Sequence, residues 1–149
     1  MSYSSTEQTP NAFTQPLDNY SGNAAIIKKL YSLFAVGRHD ELHELFDAEA
    51  VWMQMDGFPG GGVYKGSAAI IRDVFGRLKG DWLDWKAVVS DTIGAGDHVF
   101  VSGYYEGTHC STGKYFNADF MHHYQFKDGK ISSFKQYTDT ARIVAASLV

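Results

Sequence analysis

The stretch from Tyr115 to Asp139, YFNADFMHHYQFKDGKISSFKQYTD, decides the fold. It reads as two strands joined by a tight turn at Lys127-Asp128-Gly129-Lys130. Phe116, Ala118, Phe120, His122, Tyr124 and Phe126 alternate with Asn117, Asp119, Met121, His123, Gln125 and Lys127. A strand sends those two sets to opposite faces, one aromatic apart from a single imidazole and the other mostly polar. His122 therefore points toward whatever the aromatic face covers, and His123 points away. The turn sets the partner of His122. A two-residue turn at Asp128-Gly129 puts Lys135 opposite it, whereas a three-residue turn with Gly129 as a bulge puts Phe134 there and Phe120 opposite Gln136. The second is preferred, since Phe134 suits an apolar face, and it brings Gln136 and Thr138 to the face of His122.

Outward from this hairpin, Trp85 to Ile93 and His98 to Thr108 form another, turning at Gly94-Ala95-Gly96-Asp97. Four consecutive strands thus make an antiparallel meander. Upstream the periodicity is helical. Ile26, Ile27, Leu30, Leu33 and Phe34 mark a helix over Asn23 to Val36, stopped by Gly37. A shorter helix is expected over Asp40 to Phe46, and a third from Gly66-Ser67 to Leu78, with Ile70, Ile71, Val74 and Phe75 apolar. Ala50 to Met55 reads as a strand with Trp52 and Gln54 on one face, and Pro59-Gly60-Gly61-Gly62 as a loop. Thr140 to Leu148 closes the chain as a short helix. Residues 1–20 are polar, carry Pro10 and Pro16, and read as a loosely ordered leader to a single domain over 21–149. Helices followed by a long sheet indicate an α+β fold.

The bulk numbers narrow the function. A net charge of −4, a pI near 5.8 and no Lys/Arg cluster argue against a nucleic-acid partner. No apolar run is long enough for a membrane span, and the N-terminus lacks the basic start and apolar core of a signal peptide. The lone Cys110 cannot form an internal disulfide, which fits a reducing cytosol, so a cytoplasmic location is expected. Cys110 has no base placed near it by sequence.

Several side chains invite chemistry. His122 is either a satisfied core histidine or an imidazole whose desolvation keeps it neutral and able to exchange a proton near pH 7. His39-Asp40-Glu41-Leu42-His43 sets two histidines four apart, as zinc-protease helices do, but Asp40 stands where that motif needs Glu, and no third ligand is marked. A solvated helix face is the better reading, and no metal is expected. Asp139 reads as the cap of the last helix, and Asp119 faces away from His122. Tyr31 is a pocket hydroxyl or a core aromatic, and Trp52 is core or cavity lining. The Pro-Gly-Gly-Gly loop lacks the Lys-Ser/Thr of a phosphate loop.

The element order, Phe126-Lys-Asp-Gly-Lys-Ile131 and Phe134-Lys-Gln-Tyr-Thr-Asp139-Thr140 together resemble the ketosteroid isomerase/SnoaL-like family over Asn23 to Leu148. The resemblance implies the cone fold of nuclear transport factor 2. About three N-terminal helices would pack on a curved mixed or antiparallel sheet, with an apolar pocket at the open end and homodimers formed through the sheet. This scaffold hosts many activities, so it settles fold more than function. Ketosteroid isomerase places an Asp base where Gln54 stands here, and Gln cannot take a proton; Asp56 is a weak substitute. Its oxyanion-holding Asp lies near the position of His122, and its helix tyrosine falls near Leu30, one residue from Tyr31. Scytalone dehydratase uses histidine in a similar pocket. The resemblance thus implies a cofactor-independent isomerase, cyclase or dehydratase acting on a small apolar carbonyl or hydroxyl compound. His122 would serve as acid/base, aided by Tyr31 and Gln136. Trp52, Gln54, Phe75, Phe116, Phe120, Tyr124, Phe134 and Thr138 would line the ligand. The alternative is a non-catalytic binding or dimerisation module of the same fold.

Overall fold

The structure, a computed structural model, describes residues 21–149, so the expected leader lies outside the described residues. Helix α1 (Ser21–Val36) buries Ile27, Leu30, Leu33 and Phe34, the stripe that a 3.6-residue period dictates. It ends where Gly37 takes φ +73°. Its N–H then donates to the Phe34 carbonyl at 3.1 Å, and that of Arg38 donates to Leu33 at 3.0 Å, which satisfies two end carbonyls.

Helix α2 covers only His39–His43, shorter than its apolar pattern predicts. Leu45 and Phe46 instead join the sheet. The Ile131 N–H donates to the Leu45 carbonyl at 2.9 Å, and Phe46 opens strand β1 (Phe46–Gln54) opposite Ile131. A long-range ladder overrides the local helical spacing there. Strand β2 (Gly62–Lys65), which the glycine-rich sequence hides, pairs antiparallel with β1. The third helical stretch is composite: α3 (Ser67–Ala69), a π-helical segment over Ile70–Phe75, and α4 (Gly76–Asp81). The expected count of three N-terminal helices is therefore met only loosely. The widened turn buries Ile70, Ile71, Val74 and Phe75 together.

Strands β3 (Trp82–Ala95), β4 (His98–His109), β5 (Tyr115–Lys127) and β6 (Lys130–Thr138) form the expected meander, and α5 (Thr140–Ser147) follows. The six strands are ordered β2-β1-β6-β5-β4-β3, with β1 parallel to β6 and every other pair antiparallel. The sheet is mixed, and helices cover its inner face. Burial along β5 alternates without a break, from Phe116 in to Lys127 out. Gly103 on β4 permits a close crossing: a Cβ there would stand 2.0 Å from the Val88 carbonyl oxygen and 3.0 Å from the Phe120 ring. Asp139 caps α5, accepting the Arg142 N–H at 3.4 Å, as expected.

The β5–β6 register differs from both alternatives raised by the sequence. The turn is the two-residue kind, with Asp128 at φ +51° and Gly129 at φ +76°, and Lys127 pairs with Lys130. A bulge at Ser132 then adds one residue to β6, and its hydroxyl donates to the Gln125 carbonyl at 3.0 Å. Beyond it His122 faces Gln136, Phe120 faces Thr138 and Tyr124 faces Phe134. The preferred pairing of His122 with Phe134 is thus corrected by two residues, and the polar Gln136 becomes the direct neighbour of the imidazole.

Candidate functional site

The site forms where α1 crosses the inner face of β5. Tyr31, on the side of α1 that meets the sheet, shares a hydrogen bond with His122 Nδ1 at 2.5 Å. Tyr105 reaches the other nitrogen, His122 Nε2, from the neighbouring strand β4. Tyr124 donates its hydroxyl to the Tyr31 oxygen at 2.9 Å. Gln136 donates its amide to the Tyr105 oxygen at 2.9 Å and accepts the Met55 backbone N–H at 3.1 Å. Beside it, Trp52 donates its indole N–H to Gln54 Oε1 at 2.9 Å. Phe120 stacks on the His122 ring with centroids 4.0 Å apart, and Phe134 meets the ring edge-on at 4.9 Å.

Burial sets the electrostatics. Desolvation pushes the His122 pKa down to about 3, so the imidazole is neutral at pH 7. Burial likewise raises the hydroxyls of Tyr105 and Tyr124, and that of Tyr31, where the neighbouring phenols add to the effect. All three remain protonated. The result is a chain of neutral donors and acceptors in an apolar shell, where each hydrogen bond is stronger than in water.

These groups border an inner cavity of about 40 Å³. That is room for one functional group or a small cluster of waters, not for a whole substrate. No charged side chain among the described residues lines it. Tyr31, Phe34, Trp85 and Ala87 also border an outer recess of about 500 Å³ rimmed by Lys79, Trp82 and Asp84. Asp84 holds φ +54° beside a register shift in β3, so backbone strain sits at the rim of this vestibule.

Seven of the residues singled out from sequence border the inner cavity: Tyr31, Trp52, Gln54, Phe75, His122, Tyr124 and Gln136. Four do not. Phe134 is stacked beneath Trp52 at 3.6 Å, Phe120 lies against His122, and Phe116 packs on Trp82 and Trp85. Thr138 donates to the Asp119 carbonyl at 2.7 Å, near the end of the strand. All four share the inward face, but that face is longer than the pocket. The sequence reading missed Tyr105 and Trp85. A signal for Tyr105 exists, since it alternates with Val99, Val101 and Gly103.

The remaining candidates stand elsewhere. His43 shares a hydrogen bond with the Ser67 hydroxyl at 2.7 Å on an exposed face. Among the described residues no group of three or more His, Cys, Asp or Glu is arranged to hold a metal, and no helix is long and apolar enough to cross a membrane. Cys110 is exposed.

With the cone and its buried polar chain described, family comparison is decisive. Residues 27–134 match the model of the SnoaL-like domain. The chain belongs to the SnoaL-like family. A nuclear transport factor 2-like protein from Burkholderia thailandensis E264 is 30% identical, with a TM-score of 0.81 over 85% of this chain and 97% of that one. A SnoaL-like polyketide cyclase, so described, from Jannaschia sp. CCS1 is 15% identical, with a TM-score of 0.76 over 85% and 92%. TerC, co-crystallised with polyporic acid, is 22% identical, with a TM-score of 0.76 over 85% and 98%. The last two likenesses speak to fold alone. No curated protein matches the chain.

Proposed function

We propose that this SnoaL-like chain is a cofactor-independent catalyst of the isomerase, cyclase or dehydratase kind, acting on an apolar carbonyl or hydroxyl compound. The observation that carries the reading is a neutral imidazole held between two tyrosine hydroxyls at the end of an apolar cavity. Both ring nitrogens of His122 are occupied by phenols, so the polar group that meets a ligand is Tyr31 or Tyr105. His122 acts behind them, as the group that exchanges their protons. The ligand's body rests in the outer recess against Phe34 and Trp85, and its carbonyl enters the inner cavity and takes a hydrogen bond from a phenol. Gln54 and Gln136 are committed to Trp52, Met55 and Tyr105, so they hold the framework and leave the ligand to the tyrosines. TerC, which shares this fold, was co-crystallised with polyporic acid, and this supports a small organic ligand for the present chain.

Heptane-2,6-dione provides a test, because its intramolecular aldol closure and dehydration yield a conjugated cyclohexenone that is followed by absorbance. The chain should accelerate this closure, and Tyr31→Phe should cost roughly 10²–10³-fold, the usual loss when one oxyanion donor is removed. A wild-type rate no greater than that of Tyr31→Phe would remove the catalytic reading. A second reading, a binding module without chemistry, is favoured by one feature: Gln54, bonded to Trp52, offers no base where the ketosteroid isomerases have a carboxylate.

The outer sheet face, with Met121 at 42% and Tyr137 at 41% exposure, is the proposed homodimer surface. The exposed, unpaired Cys110 fits a cytoplasmic setting.

A further inference from the structure

The hydrogen-bond chain through His122 holds one proton more than it can use internally. The backbone N–H of Met55 occupies Gln136 Oε1, so the amide group of Gln136 faces Tyr105 and donates to it. At the other end Tyr124 donates to Tyr31. Between these ends lie two links, Tyr31 to His122 and His122 to Tyr105. Tyr31, neutral His122 and Tyr105 bring one exchangeable proton each, so three protons serve two links and one is left over.

Which hydroxyl presents the spare proton depends on the imidazole tautomer. With the proton on Nδ1, His122 donates to Tyr31 and accepts from Tyr105, and the Tyr31 O–H is free to point into the cavity. With the proton on Nε2 the pattern reverses, and the Tyr105 O–H is free. Both phenols border the cavity, and among the described residues no charged side chain lines it to lock either state.

We propose that Tyr105, His122 and Tyr31 form a neutral relay that carries a proton between two oxygens of one bound substrate. This rests on the catalytic reading above and narrows its substrate class. The substrate carries an enolic O–H and a carbonyl oxygen set apart from one another, the first in the inner cavity at Tyr105 and the second at Tyr31, which borders both the cavity and the outer recess; they are either joined by a conjugated path or placed for aldol closure. The substrate O–H gives its proton to the Tyr105 oxygen, and the proton of Tyr105 passes to Nε2. The Nδ1 proton passes to the Tyr31 oxygen, and the proton of Tyr31 passes to the substrate's carbonyl oxygen. Within the substrate the enol oxygen becomes a carbonyl. Its π pair moves along the conjugated path or forms the new C–C bond, and the former carbonyl becomes a hydroxyl. No charge is created, no proton is gained or lost by the protein, and no oxidant or metal is needed. Once the product leaves, water entering the cavity takes the Tyr105 proton and gives one to the Tyr31 oxygen, while the Nε2 proton passes to Tyr105 and the Tyr31 proton to Nδ1, which resets the tautomer. Tyr105 thereby becomes a catalytic residue equal in standing to Tyr31.

The test reads the tautomer directly, by ¹⁵N chemical shifts of the His122 ring in labelled protein at pH 7. In the wild type both nitrogens should resonate between the protonated and bare extremes and move with temperature, as two exchanging tautomers require. Tyr105→Phe should drive the proton to Nδ1, because only Tyr31 remains to receive it. Tyr31→Phe should drive it to Nε2. The wild-type measurement stands by itself should a variant fail to fold. A single tautomer in the wild type, unmoved by temperature, overturns the relay, as does the same tautomer in both variants. That failure is separable from failure of the catalytic reading, which is judged by heptane-2,6-dione turnover in Tyr31→Phe alone.

Discussion

His122 and His123 are adjacent on β5, yet they inhabit different worlds. His122 is 4% exposed, stacked under Phe120 and bridged by two phenols. His123 lies on the outer face, half-buried, sharing a hydrogen bond with His98 at 2.8 Å and stacked on Phe100 at 4.4 Å. A strand's two-residue period makes this difference, since a shift of one position exchanges core for solvent. The lesson is that residue type says little about role here. The same imidazole is a buried neutral relay on one face and a surface group on the other.

Acid should expose the contrast most strongly. The folded chain holds His122 at about 3 against 6.5 for a free imidazole, so the unfolded chain binds the extra proton. Stability from this group is therefore complete above pH 6.5 and drains away as pH falls toward 3, by about 5 kcal/mol at ~1.4 kcal/mol per pH unit. His122→Asn should flatten the fall in urea-unfolding free energy across that window. His123→Asn should leave most of it, because burial, His98 and Lys135 lower the His123 pKa on a largely solvated group. Equal slopes in the two variants would break the comparison.

Much of this contrast was legible in sequence. The in-out alternation from Phe116 to Lys127 needs only the period of a strand, and the cap at Asp139 only local chemistry. The register is legible too: Ile131 and Phe134 are both apolar and three apart, a spacing no regular strand allows on one face. That parity demands a bulge between them, and Ser132 supplies it. The extra residue belongs to the strand and not to the turn. Tyr105 is a harder case. Its ladder partner is Ala118, whereas His122 pairs with Val101, so the contact runs diagonally across a twisted sheet. Such a contact depends on how the whole sheet curves. Tyr31 likewise meets His122 only through the docking of α1, which separates the two by 91 residues in sequence.

Packing should separate the faces next. Phe134 is 1% exposed and lies under Trp52 at 3.6 Å. Phe134→Ala should cost about 3–5 kcal/mol, the range for removing a buried aromatic. Tyr137, three residues along on the outer face and 41% exposed, should cost under ~1 kcal/mol when changed to Ala. Chemical denaturation of both variants gives the ratio. A Tyr137 variant as costly as the Phe134 variant would show that the outer face is buried in solution by something other than the monomer's own chain.

The smallest effect on folding should come from Met121→Lys, and it bears on that burial. Met121 sits between Phe120 and His122 but points outward at 42% exposure, opposite Tyr137 on β6. A lysine there should change the unfolding free energy of the monomer by no more than ~0.5 kcal/mol, as exposed substitutions do. If the outer face joins two chains, the same lysine places two like charges in an apolar contact and desolvates both, which costs far more than the side chain's own packing. The expected outcome is a dimer for the wild type and a monomer for Met121→Lys in sedimentation equilibrium, with superimposable monomer unfolding curves at low concentration. Sedimentation that is the same for both proteins would leave the outer face as solvated surface, and the difference between the two faces of β5 would then be one of burial alone.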